Sequence, residues 1–406
     1  MTPGSNHMQR TFIDSGSKID LNKKSIIRFY INNGSSTIAE LTKGLDLSIP
    51  TTTKLVGELI DEGFVQDFGK QETEGGRRPN LYGLNPGSGY FIGVDVKKFR
   101  VNIALINFKG ETLKYKDNIP FLLENTRDAL NQLCDIIRHF LSEWADVSEK
   151  ILCVGVNVSG RVNPESGYSY SYFYFEEKPL SELIAERVGM RCFIDNDSRA
   201  MAYGEYMCGV AKGEKSMIFV NVGWGLGVGI VIDGKPYYGK SGFSGEFGHI
   251  YAFNNEIICH CGKKGCLETE ASGLAIHRMM LERVKGGTNT ILQEKIESDK
   301  PLLLEDIIEA ALEEDVLAIE IIEEAGNKLG RAISGLINLF NPELLVIGGT
   351  VSLTGDYIFL PIKSAVKKYS LNLVNKDTEI KLSRLGDKAG AIGAGLFARE
   401  RILGIY

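Results

Sequence analysis

Between His249 and Cys266 the chain gathers residue types that hold a soft divalent metal. The run Cys259-His-Cys261-Gly-Lys-Lys-Gly-Cys266 has C-x-C-x4-C spacing, and nine residues separate His249 from Cys259. Three thiolates and one imidazole make a closed tetrahedral zinc set. Gly262 and Gly265 let the loop turn tightly enough for three sulfurs to reach one ion. His249 and His260 compete for the fourth place, and His260, set between two cysteines, is expected to point away. Glu246 and Glu268 bracket the cluster, so a metal-locked loop would fix the direction of both carboxylates. Buried, inert thiols are the competing reading, which suits isolated cysteines better than three within eight residues.

A second group of polar residues follows a short strand read from Arg191 to Ile194. Asp195-Asn196-Asp197 at a strand end can set an amide and a carboxylate against hydroxyl groups, although either residue could instead cap a helix. Ser159-Gly160 ends another buried strand, Ile151 to Val158.

Gly-Glu246-Phe-Gly-His249, followed by Cys-His-Cys-Gly-x-x-Gly-Cys-Leu-Glu268, resembles the zinc and sugar region of the ROK family of repressors and sugar kinases. The resemblance implies a structural Zn2+ on His249, Cys259, Cys261 and Cys266. It implies a sugar held by Gly160, Asn196, Asp197, Glu246, His249 and Glu268, with the histidine using one ring nitrogen for each partner. In the family's kinases the residue matching Asp197 is the general base, so Asp197 is catalytic here only if kinase activity is retained. Ser159-Gly160 stands where the family has Pro-Gly.

The phosphate side departs from that family. Its kinases carry a first loop Asp-x-Gly-Gly-Thr-Lys, whose glycines let backbone amides approach the phosphates of ATP. Here Asp95 is followed by Val96-Lys97-Lys98-Phe99-Arg100. The second loop, Gly-Thr-Gly-x-Gly in the family, is Gly223-Trp224-Gly225-Leu226-Gly227. Both loops argue against ATP and Mg2+ as cofactors, while the sugar contacts are complete.

Upstream, Lys23 to Ile31 and Thr37 to Lys43 show helical apolar spacing. A third helix is expected from the Ser48 cap, with Pro50 in its first turn, to about Asp61. A strand from Gly63 and a return ending near Leu84 flank Gly75-Gly76-Arg77-Arg78. Three helices and a hairpin make a winged helix-turn-helix. Ser48, Thr51, Thr52, Thr53 and Lys54 would meet DNA from the third helix, and Arg77 and Arg78 from the wing. Between Lys18 and Gly83 nine basic residues balance nine acidic ones, so DNA binding requires the positive charge to be clustered on one face. ROK repressors resemble this arrangement, including a Gly-Gly-Arg wing. A protein-binding winged helix is the competing reading.

The remaining elements are expected as an α/β, actin/hexokinase-like, two-lobed sugar-binding domain. Strands are read at Tyr90–Val96, Val101–Asn107 and around Ile119, then a helix from Ala129 to Trp144 and the strand Ile151–Val158. A second copy is read from Met217–Val222 and Gly229–Ile232, followed by a helix near Ala325–Leu339 and the strand Leu344–Ile347. A final helix is read over Gly386–Ile405. The Tyr168–Phe175 aromatic cluster reads as an edge hairpin in preference to a sugar-stacking wall. The expected organisation is a disordered start or tag remnant over 1–20, the winged helix over 21–85, lobe 1 over 86–195 plus 386–406, and lobe 2 over 196–385.

At 406 residues the chain is long enough for two or three cored domains. A net charge of −6 argues against a generally cationic nucleic-acid coat. Seven cysteines, an odd number, fit a reducing compartment better than a disulfide framework. No apolar run approaches a membrane span, and the first residues lack the apolar core of a signal peptide. The expectation is a cytoplasmic, sugar-responsive regulator of transcription, a homodimer or homotetramer whose partners are operator DNA and a sugar effector. The alternative is an ATP-dependent hexose or N-acetylhexosamine kinase with an appended DNA-binding module.

Overall fold

The computed structural model describes residues 17–70, 79–298 and 301–405. Two compact units are formed, one from Met1–Val158, Ser166–Asp195 and Ala394–Tyr406, the other from Ser159–Glu165 and Asn196–Gly393.

The first unit begins with helices Lys18–Asn33, Ile38–Leu45 and Ile49–Asp61. Each starts on a hydroxyl cap. Ser17 accepts from the Asp20 N–H, Thr37 forms a reciprocal capping box with Glu40, and Ser48 accepts from the Thr51 N–H. The Ser17 cap explains why the first helix begins before Lys23. Ile26, Ile27, Leu41, Leu55, Val56 and Leu59 are buried between the three helices. The Lys23 ammonium, 2.9 Å from Glu58 and 2.5 Å from Glu62, ties the first helix to the end of the third. Strands β1 (Val65–Lys70) and β2 (Asn80–Leu84) pair antiparallel, with Val65 opposite Leu84. Arg77 and Arg78, expected to carry wing contacts, lie outside the described residues.

This module is seated on the rest of its unit. The Phe64 ring lies 5.8 Å from that of Phe108, which stacks in turn on Phe91. Asn85 Nδ2 and Ser88 Oγ both donate to the Gly63 carbonyl, at 2.9 and 2.8 Å. An Arg28 guanidinium N–H donates to the Ile405 carbonyl.

Further strands follow in chain order: β3 (Tyr90–Val96), β4 (Arg100–Asn107), β5 (Thr112–Pro120), β6 (Ile151–Val158), the two-residue β7 (Val162–Asn163) and β8 (Tyr168–Ser169), and β9 (Cys192–Asn196). The first sheet has the order β5-β4-β3-β6-β9. Its centre, β3, runs antiparallel to β4 and parallel to β6. Both faces of β3 are covered, which is why Phe91-Ile92-Gly-Val94-Asp-Val96 shows no polar alternation. Helix Arg127–Ser142 buries Leu130, Leu133, Ile137 and Phe140 along one face.

The second unit repeats the scheme. Its strands β10 (Met217–Val222), β11 (Leu226–Ile232), β12 (Lys235–Pro236), β13 (Leu344–Gly348) and β14 (Glu379–Leu382) are ordered β12-β11-β10-β13-β14. Again the central strand, β10, is antiparallel to its successor and parallel to the fourth. Helix Val316–Phe340 is much longer than Ala325–Leu339, because Asp315 caps it by accepting from the Ala318 N–H at 2.8 Å. Ile321, Leu329, Ile333 and Ile337 of this helix are fully buried, each such side chain contributing about 1.5–3 kcal/mol. The last helix is Ala389–Leu403. Among the described residues, no helix is long and apolar enough to cross a membrane.

Candidate functional site

Every residue expected to meet a sugar or a metal lies in the second unit. The chain leaves β9 through Asn196, whose side-chain oxygen accepts from the Arg199 N–H at 3.1 Å and so caps helix Asp197–Cys208. Capping uses only the amide oxygen. The Asn196 Nδ2 group donates to the Gly160 carbonyl at 3.0 Å and to Asp197 Oδ1 at 3.0 Å, drawing the three residues together. Asp197 Oδ1 also accepts from the Ser198 N–H at 2.7 Å, and Oδ2 accepts from the Ser159 hydroxyl at 2.7 Å.

The opposite side of the cluster is the loop from Tyr238 to Glu268. Arg199 holds it: one guanidinium N–H donates to the Gly242 carbonyl at 3.1 Å, and the guanidinium lies 4.5 Å from the Tyr238 ring. Nothing in the sequence singled out Arg199, a lone basic residue in the stretch after Asp197. Its signal is burial, at 2 % exposed. Gly245, at φ 91°, approaches β11 so closely that a Cβ would meet the Val228 carbonyl oxygen at 2.1 Å. That approach sets Glu246 at the start of a short 3-10 turn, Phe247–His249.

His249 presents its two ring nitrogens to different partners. Nδ1 is 3.6 Å from Cys259 Sγ, and Nε2 is 3.7 Å from a Glu246 carboxylate oxygen. Burial pushes the Glu246 carboxyl above its usual range, opposed by His249 and Arg161 and reinforced by Asp197 and Glu268. Those influences place Asp197, Glu246, Glu268 and Arg161 in one electrostatic neighbourhood. Arg161 was not recognised in the sequence, where it is a single charge just beyond a strand.

The metal set fits. The ligand atoms of His249, Cys259, Cys261 and Cys266 all lie within 4.8 Å of one another. Cys261 and Cys266 sulfurs are 3.6 Å apart, close to the ~3.8 Å edge of a tetrahedron with 2.3 Å metal–sulfur bonds. Burial pushes the Cys259 thiol up to about 12 and raises that of Cys266. Burial also opposes ionisation of Cys261, but the Lys263 backbone N–H and the Cys266 and Cys259 thiols outweigh it and hold that thiol below its usual value. Gly265, at φ 75°, makes the close turn, since a Cβ there would lie 2.3 Å from the Phe253 carbonyl oxygen.

His260 lies outside that four-residue set but beside it. Its Nδ1 lies 2.9 Å from Glu268 Oε1, and its ring centroid is 5.0 Å from that of His249. The carboxylate draws the ring back toward the cluster. Glu268 is itself buried, and its other oxygen accepts from the Leu226 N–H at 3.0 Å. Burial would raise the Glu268 carboxyl, but the His260 ring and the Leu226 N–H outweigh it and hold it below its usual range.

The glycine-poor turn after β3 lies in the other unit. Its Lys97 N–H donates to the Arg100 carbonyl at 2.9 Å across the β3–β4 hairpin, and Lys97 Nζ is 3.8 Å from Asp95. In the second loop the Gly223 N–H donates to the Gly225 carbonyl at 3.1 Å. The Trp224 ring sits 5.5 Å from that of His277, against the apolar core of its unit.

On the three-helix module, Ser48, Thr51, Thr53 and Lys54 are exposed at the start of the third helix. Thr52 is not, which corrects the sequence reading. It is fully buried, donating to the Ser48 carbonyl at 3.1 Å and accepting from the Thr42 hydroxyl at 3.2 Å. The cause is helical spacing: Thr52 lies on the face of Leu55, Val56 and Leu59.

A model of the ROK family matches residues 91–401, and a model described as winged helix-turn-helix DNA-binding matches residues 19–66. The xylose repressor of Caldicellulosiruptor bescii is 30% identical over 377 residues, 92% of this chain and 94% of its own length. A glucokinase of Thermotoga maritima is 31% identical over 318 residues, 77% of this chain and 98% of the enzyme. Among solved structures, a ROK family transcriptional regulator, a homologue of the E. coli MLC protein, aligns with a TM-score of 0.78 at 29% identity. That alignment covers 95% of this chain and 96% of the regulator.

Proposed function

The chain belongs to the ROK family, a winged helix-turn-helix followed by the actin/hexokinase-like sugar-kinase fold, and on that premise we propose that it is a sugar-responsive repressor of transcription. Its winged helix binds operator DNA, and a sugar in the second unit changes its operator affinity. Gly160, Asn196, Asp197, Glu246, His249 and Glu268 hold the sugar hydroxyls. Zn2+ on His249, Cys259, Cys261 and Cys266 fixes the loop that carries three of them. One observation carries this reading. The same ring of His249 faces the Cys259 thiol through Nδ1 and the Glu246 carboxylate through Nε2, so a residue of the metal set also faces a carboxylate of the sugar set.

The domain organisation proposed is a winged helix to residue 85, lobe 1 over 86–195 and 386–406, and lobe 2 over 196–385. A homodimer or homotetramer suits paired operator half-sites. Relatives of repressor type match over nearly the whole chain, the winged helix included, whereas the glucokinase matches 77% of it. The deciding experiment is a gel shift on DNA selected by this protein, repeated across pentoses, hexoses and N-acetylhexosamines. One sugar should release the DNA, and no response to any sugar defeats the reading.

A second reading, a sugar kinase using ATP and Mg2+, is favoured by the position of Asp197 beside Asn196 and Gly160. The engaged backbone amides of Lys97 and Gly223 oppose it.

A further inference from the structure

The stretch expected as an edge hairpin, Tyr168–Phe175, is strand only at Tyr168–Ser169, in β8. Beyond β8 it runs through turns and bends around a cavity of about 300 Å³. Tyr168, Tyr170, Phe173 and Tyr174 supply aromatic surface to that cavity, and Ser169, Glu176 and Lys178 supply polar groups. All belong to the first unit, whereas Asn196 to Glu268 belong to the second.

The cavity is built and held. Phe173 is 2 % exposed and has φ 57°, a left-handed conformation that is an outlier for a bulky side chain. Strain of this kind persists only where surrounding contacts over-determine it, and it concentrates at ligand sites. The contacts are present. Tyr168 Oη donates to the Glu177 carbonyl at 2.7 Å, the Tyr172 N–H to Ser169 Oγ at 3.3 Å, and the Tyr174 N–H to Asn125 Oδ1 at 3.1 Å. Tyr170 and Tyr174 nevertheless remain 50 % and 58 % exposed, so the frame holds aromatic faces open to solvent.

The charges around the cavity select the ligand. Glu176 is 3.6 Å from Arg127 and 3.8 Å from Arg187, and Lys178 is 2.7 Å from Glu186. Each charge is already countered, so an ionic ligand gains little. A wholly apolar ligand would strip water from Ser169, Glu176 and Lys178 without replacing it. A ligand with an apolar C–H face and hydroxyls around its edge satisfies both surfaces, the face on tyrosine and the edge on the polar groups. The volume lies at the bottom of the small-molecule range, which suits one ring.

We propose that this cavity is a second saccharide site, taking one neutral pyranose unit of a free sugar or an oligosaccharide. It is independent of the site around Asp197 and Glu246 and stands whether or not that site binds sugar. The test is calorimetric titration of the full chain with D-xylose, D-glucose, N-acetyl-D-glucosamine and xylobiose. Tyr170→Ala with Tyr174→Ala should weaken one class of site by at least roughly tenfold, since two stacking faces are lost. Tyr170→Phe with Tyr174→Phe, which keeps the faces, should retain most of the affinity. Asp197→Asn should leave this class unchanged. Saccharide binding unaltered by the double alanine variant overturns the proposal, as does the absence of any binding class sensitive to it.

Discussion

The Ser159 hydroxyl donates to Asp197 Oδ2 at 2.7 Å, while the Ser198 N–H donates to Oδ1 at 2.7 Å. Both oxygens of the carboxylate are therefore held in place before any ligand arrives. A carboxylate held in this way is pre-oriented to accept from a sugar hydroxyl. Asp197→Asn keeps the shape and removes the charge. It should weaken sugar binding by roughly tenfold to a hundredfold, the range of a charge-assisted hydrogen bond. Operator affinity without sugar should not move. Calorimetry and gel shift on the same preparation check both halves.

Zinc content tests the loop. The protein purified without chelators should carry about one zinc per chain. Cys261→Ser should lose it, lower the melting temperature and weaken sugar binding, because the loop that carries Glu246, His249 and Glu268 loses its brace. Metal analysis finding no zinc in the unchelated wild type would remove the brace from the account.

Much of this arrangement was legible in the sequence because its signals are local. The C-x-C-x4-C run, the Ser48 cap and the unbroken apolar strands Tyr90–Val96 and Ile151–Val158 need no tertiary information. What was missed depends on partners that only the folded chain brings together. His260 turns toward Glu268 because a carboxylate eight residues away takes its ring nitrogen. Arg199 matters because Gly242 and Tyr238 come to it. Thr52 is the exception, since its spacing to Leu55 and Leu59 already placed it on the buried face.

Thr52 and Thr53 should behave as opposites. Thr52→Val removes two buried hydroxyl bonds and should cost about 1–2 kcal/mol of stability, with little change in operator preference for the folded protein. Thr53→Ala should leave the melting temperature nearly unchanged and lower operator affinity. Arg77→Ala with Arg78→Ala should flatten the salt dependence of binding, because fewer counterions are released. Denaturation curves and gel shifts at several salt concentrations separate these outcomes.

Alkaline pH should loosen the DNA-binding module. Burial would lower the Lys23 ammonium, but the bonds from Glu62 and Glu58 outweigh it and raise it above the ordinary 10.5. A raised folded value stabilises below the unfolded one and is lost as pH climbs through the folded one. This pair should therefore contribute fully up to about pH 10 and fade above 10.5. Lys23→Met should lower the melting temperature at neutral pH and remove that part of the alkaline loss. A variant whose alkaline melting profile still parallels the wild type would show that Lys23 does not carry it.

Sugar phosphorylation is the measurement that separates sensor from enzyme. Phosphoryl transfer depends on holding the transferred group in line with the attacked hydroxyl, mostly by positioning and electrostatics. In the turn after Asp95 the Lys97 N–H is committed to the Arg100 carbonyl, and no glycine follows to offer others. In the second loop the Gly223 N–H is committed to Gly225, and Trp224, packed beside His277, provides no hydroxyl. Asp197 alone provides a base without a placed phosphate. Incubation with ATP, Mg2+ and the releasing sugar should therefore give negligible phosphorylated product by mass spectrometry, although the sugar still binds. Lys97→Gly with Lys98→Gly, together with Trp224→Thr, should raise turnover above that background, because amides and a hydroxyl become available to phosphate oxygens. Robust turnover by the wild type, abolished by Asp197→Asn, would make the protein a kinase.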